Sequence, residues 1–108
     1  KDKLSNRNFS FILKMEMVVV KGVKMAGKYT PLYNFLKNLD STRREITLSF
    51  GKIEEIINDG LPYSARNHRP WWANEQEGNH VHAHAWMNAG WKVDSVDMFR
   101  EMVRMVRQ

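Results

Sequence analysis

Four tryptophans, Trp71, Trp72, Trp86 and Trp91, stand close together in a chain of 108 residues. A chain of this length has room for one core and not two, so this large amount of ring surface must be buried in that core or presented to a partner. Trp71 and Trp72 are adjacent, and adjacent side chains rarely both point inward, so at least one is expected to be partly exposed. The hydrophobic share is 43% and cysteine is absent. That excludes a disulfide framework, a thiolate nucleophile and a cysteine-ligated zinc, and it fits a reducing, cytoplasmic setting. The longest strongly apolar run, Met15 to Val20, is too short to cross a bilayer, and no signal peptide is read.

The formal net charge is +5, but it is unevenly spread. Residues 1–24 hold Lys1, Lys3, Arg7, Lys14, Lys21 and Lys24 against Asp2 and Glu16, whereas the rest of the chain sets eleven cations against ten acids. Residues 1–27 therefore read as a basic leader, and 28–108 as a single, nearly neutral domain. The leader lacks a sustained period. Lys21-Gly22-Val23-Lys24 before Met25 can be encoded by a purine-rich ribosome-binding sequence, so residues 1–24 are either upstream sequence read in frame or an authentic added hairpin.

From Pro31 the periodicity is readable. Leu32, Phe35, Leu36 and Leu39 recur at helical spacing, with Thr30 expected as N-cap and Pro31 at the first helical position. Glu45 to Phe50 alternates, with Ile46, Leu48 and Phe50 on one face of a half-buried strand. Ser49 or Gly51 opens a second helix with Ile53, Ile56 and Ile57 inward and Glu54-Glu55 outside, stopped at Asn58-Asp59-Gly60, where Gly60 takes the left-handed position. Ser64-Ala65-Arg66 starts a short helix that Pro70 interrupts, and Glu75 to Asn79 is a polar loop. A last helix runs from Asn79 or His80 to Ala89, with Ala85, Trp86 and Ala89 inward, before Gly90. Trp91 to Asp97 is a strand that places Asp94 and Asp97 on opposite faces. Glu101 to Arg107, with Met102, Val103, Met105 and Val106, is either its hairpin partner or a short terminal helix, the strand being preferred. The expected fold is α+β, a small winged-helix-like domain in the order helix-strand-helix-helix-strand-strand, with a long, Trp-rich connection before the last helix. That connection far exceeds the tight turn of a regular helix-turn-helix.

Leu61 to Asn74 carries most of the chemistry. Arginine forks bind phosphate or guanine edges, asparagine suits adenine, and indoles stack on bases, so Arg66, His68, Arg69, Trp72 and Asn74 are candidate nucleic-acid contacts, extended by Arg100 and Arg104. The competing reading is that Trp71 and Trp72 are core, with Arg66 and Arg69 stacked over them or paired with Asp94 or Asp97.

Along Lys28-Tyr29, Pro31-Leu32, Ile46 to Phe50, Ile53-Glu54, Ile56, Leu61-Pro62, Ser64-Ala65-Arg66, Arg69, Trp71 to Asn74, His80, Ala85-Trp86, Ala89-Gly90-Trp91, Val93, Val96 and Asp97 the chain resembles an uncharacterised domain family of bacteria and their phages. The family occurs mostly as small stand-alone proteins. The resemblance covers residues 27–107. It implies a fold unit and brings no established activity, and the family's usual last strand is less methionine-rich than Met98 to Arg107.

His80 and His84 are spaced to share a helix face and are weak metal candidates, with no glutamate between them and no third ligand; His82 and His84 read as solvated. Ser64 has no nucleophile elbow around it, and the glycines make no phosphate loop. No cofactor is expected. The expected function is a non-enzymatic nucleic-acid-binding module, DNA favoured. The alternatives are a protein-interaction module, such as a phage modulator of a host complex, and a small nuclease built from His68, Asn74 and His80. Partners are thus a nucleic acid or a host protein, with no membrane.

Overall fold

The computed structural model of the chain describes residues 27–76 and 81–108. Residues 1–26 of the expected leader, and the Asn79 or His80 start of the last helix, lie outside the described residues. The domain is α+β. Helix α1 (Thr30–Lys37) buries Leu32, Tyr33 and Leu36. Its N-cap is Tyr29 and not Thr30, whose hydroxyl is buried with no hydrogen-bond partner among the described residues. Strand β1 (Glu45–Ser49) turns Ile46 and Leu48 inward. Ser49 ends it by capping helix α2 (Phe50–Ile57), its side chain accepting from the Lys52 amide at 2.9 Å. Phe50, expected on the strand, is therefore the first helical residue and fully buried.

Helix α2 ends at Asn58, and this residue, not Gly60, adopts the left-handed conformation (φ 55°). Asparagine tolerates that region because its short polar side chain can bond locally. Helix α3 (Tyr63–Asn67) and the 3-10 turn η1 (Arg69–Trp72) follow, then helix α4 (Val81–Met87) and a left-handed Gly90.

Strands β2 (Trp91–Asp97) and β3 (Met102–Arg107) form a hairpin, and β3 also pairs with β1, giving the antiparallel order β1-β3-β2. As the central strand, Met102–Arg107 pairs on both edges, and a terminal helix there would leave β1 and β2 without the strand that joins them. The register runs from Val93 opposite Met105 to Ser95 opposite Arg104, so Asp94 is the extra residue of a bulge. The bulge restores Asp97 to the exposed side that Asp94 occupies, instead of the opposite side expected from strict alternation. The inner sheet face, with Ile46, Leu48, Trp91, Val93, Val103 and Met105, packs against Leu32, Leu36, Phe50, Ile53, Trp72 and Trp86.

Phe50→Ala should cost about 3–5 kcal/mol by opening a cavity in this core. Phe99→Ala, at a side chain 93% exposed, should stay within about 0.5 kcal/mol of the parent. Urea unfolding followed by tryptophan fluorescence checks both.

Candidate nucleic-acid interface

The Leu61 to Asn74 segment is mostly internal bracing. The 3-10 turn sets successive side chains about 120° apart, unlike the near-opposite directions of a strand, so Trp71 and Trp72 can both face the interior, and both are buried. Trp72 lies between Phe50 and Trp86, with ring centroids at 5.0 and 5.8 Å, and donates its indole N–H to the Ala65 carbonyl at 2.8 Å. Trp72, expected to stack on bases, thus has no free face. Trp71 stacks flat on His82 at 3.7 Å, and the His82 Nε2 meets the Trp71 carbonyl oxygen at 2.7 Å. His82, expected in solvent, is buried.

Asn74 is also spoken for. Its Nδ2 donates to the Val93 carbonyl at 2.9 Å, while its Oδ1 accepts from the Val93 amide at 2.8 Å and the Trp86 indole at 2.9 Å. One side-chain amide thereby pairs with β2 as a neighbouring strand would, and ties that edge to helix α4. An adenine-reading role would require breaking all three bonds.

The arginines divide. Arg66 bridges Glu54 of α2, at 2.8 Å, and Glu101 of the β2–β3 turn, at 2.6 Å. Hydrogen bonds from Arg66 and from the Leu61 amide hold the Glu54 carboxyl below the usual range, so Glu54 is not a mere exposed face. Arg104 is gripped by Glu45 and Asp94 on the outer sheet face. Neither guanidinium can take phosphate without giving up carboxylates. His68 and Arg69 are exposed, with no side-chain partner among the described residues, and Arg100 is 77% exposed with only a 3.9 Å approach to Asp97. His84 is occupied by the Gln76 carbonyl at 2.8 Å, and His80 lies outside the described residues. Among the described residues no group of three His, Asp or Glu is placed to hold a metal ion.

Sequence reasoning missed Glu101. It holds a left-handed conformation (φ 57°) without being glycine. Its carbonyl accepts from the Phe50 amide at 2.9 Å while its carboxylate meets Arg66, so the turn Met98–Glu101 is fastened to both α2 and α3. Nothing in the spacing of Arg66 and Glu101 announces that contact.

A family model described as a domain of unknown function (DUF7662) matches residues 29–108, and the chain belongs to that family. No curated protein and no solved structure matches the chain.

Asn74→Ala orphans two donors and an acceptor and should lower unfolding stability by about 2–4 kcal/mol, measured by chemical denaturation. Because the folded Glu54 carboxyl is depressed, its contribution is present above the unfolded value of about 4.3 and is lost as pH falls through the folded value. Melting temperature should therefore decline on acidification from about pH 7 to about pH 3, and Glu54→Gln should start lower and decline less steeply.

Proposed function

We propose that this member of the DUF7662 family is a non-enzymatic nucleic-acid-binding module of winged-helix-like build, with DNA as the favoured partner. The observation that carries the reading is the sheet order β1-β3-β2 joined to the chain order α1, β1, α2, α4, β2, β3 that is left once the inserted α3 and η1 are set aside. A helix followed directly by a two-stranded wing suits a groove contact beside a backbone contact. The connection holding α3 and η1 replaces a tight turn, and Arg66 fastens it to the wing turn through Glu101. His68, Arg69, Phe99 and Arg100 are among the exposed side chains able to reach a ligand from the connection and the wing turn.

Helix α4 has neither lysine nor arginine between Val81 and Met87. Bidentate reading of guanine from that helix is therefore absent, and affinity rests on phosphate contacts with weak sequence preference. A protein partner is the second reading. It is favoured by one observation: Tyr63, 80% exposed on α3, and Phe99 flank the Arg66–Glu101 clamp, and exposed aromatics are common anchors of protein interfaces.

Titrating the full chain with labelled duplex DNA at two salt concentrations tests the first reading. Affinity should fall as salt rises, and Arg69→Ala with Arg100→Ala should reduce the salt slope by about 2. Salt-independent affinity, or no binding, contradicts it. In that case Phe99→Ser should be carried into a search for a protein partner.

A further inference from the structure

The charges of the domain are sorted by position, and a second group of cations lies away from the wing. Near the wing turn Arg66 meets Glu54 and Glu101 and Lys52 meets Glu55, while Arg69 and Arg100 stay exposed, Arg100 with only a 3.9 Å approach to Asp97. The opposite end of the sheet differs. There β2 begins, β3 ends, and β1 is entered from the 40–44 loop. Arg107 lies opposite Trp91, its amide donates to the Arg44 carbonyl at 2.9 Å, and Lys92 follows on the next rung. The Trp91 indole donates to the carbonyl of Leu36, which brings Lys37 at the end of α1 to the same corner. Lys37, Arg43, Arg44, Lys92 and Arg107 thus gather at one end, against Asp40 and Glu45, and Glu45 is engaged by Arg104.

The cluster is held in place by neutral groups. The Arg107 guanidinium lies 4.5 Å from the Trp91 ring centroid and donates to the carbonyls of Arg43 and Asp40, at 2.9 and 2.7 Å. These contacts fix its direction without a direct ion pair. Hydrogen bonds from Thr42 hold the nearby Asp40 carboxyl below the usual range, and the Arg107 charge adds to that. Asp40 accepts from both the amide and the hydroxyl of Thr42 at 2.8 Å, and the Arg43 amide donates to the Asp40 carbonyl at 2.9 Å, so the loop presenting Arg43 and Arg44 is shaped before any ligand arrives. Arg44 and Lys92 are exposed and make no ion pair among the described residues.

We infer that this strand-start end, built from Lys37, Arg43, Arg44, Lys92 and Arg107, is a phosphate-contacting surface for a nucleic-acid backbone. The inference rests on the nucleic-acid reading above and adds a second contact region to it. A seven-residue strand separates this end from the wing turn, a distance of about 20 Å, so the two ends would meet different backbone phosphates. Several cations around one rigid corner suit a ligand with regularly repeated charge better than a single small anion.

The test uses the full chain and a labelled mixed-sequence duplex, with affinity measured across a salt series. Arg44→Ala/Lys92→Ala should flatten the dependence of log affinity on log salt by about 1.8, since each lost phosphate contact removes about 0.9. Arg44→Lys/Lys92→Arg, which keeps both charges, should retain the parent slope. Melting temperatures should match the parent in both variants, because neither side chain packs in the core. The leader's cations are common to every variant, so the difference isolates this corner. If the parent binds with a salt-dependent affinity and the alanine variant keeps its slope, the corner is not a contact and the inference falls while the nucleic-acid reading stands. If the parent itself shows no salt-dependent binding, that reading fails and takes the inference with it.

Discussion

The domain depends on the burial of Trp72 between Phe50 and Trp86. Those rings come from the connection, from α2 and from α4, and the indole N–H reaches back to Ala65 on α3. One side chain therefore joins four elements whose backbones share few direct hydrogen bonds. Asn74, two residues on, carries the same linkage outward to β2 by bonding both Val93 and the Trp86 indole. Three of the four tryptophans donate to fixed acceptors, which sets their orientation as well as their burial. The Trp71–Asn74 part of the connection is accordingly built into the core and is not a loose insertion.

That arrangement explains what the sequence made legible. The stripe Leu32, Leu36 and the alternation Ile46, Leu48 mark α1 and β1 because each buries one face, and Ser49 marks the helix it caps. The hairpin Trp91 to Arg107 is legible for the same reason, apart from the bulge at Asp94, which no residue type signals. Less legible was the use of polar groups. Arg66, Asn74 and His82 are the residue types that bind ligands, and the same donors and acceptors serve equally to satisfy a buried indole, a strand edge or a carbonyl. Only the fold tells the uses apart, because Glu54 and Glu101 are far from Arg66 in the chain and meet it in space.

The division has a functional consequence. A nearly neutral domain can bind a polyanion only if its charges are segregated. Here carboxylates gather about Arg66 and Arg104, where they hold elements together, and the 40–44 loop, the start of β2 and the end of β3 keep cations with few acids near them. In the proposed account, the aromatic segment sets the shape, and exposed cations at the wing end and at the strand-start corner supply the electrostatics.

Two-dimensional amide and indole NMR of the full chain tests this division most directly. The account predicts slow hydrogen exchange at the Trp72, Trp86 and Trp91 indoles. On adding duplex DNA, shifts should centre on the backbone amides of Arg69 and Arg100 at the wing end and of Arg43, Arg44 and Lys92 at the strand-start end, with the Trp72 indole unmoved. Rapid exchange at Trp72, or DNA-induced shifts centred on Trp72 and Asn74, would contradict it.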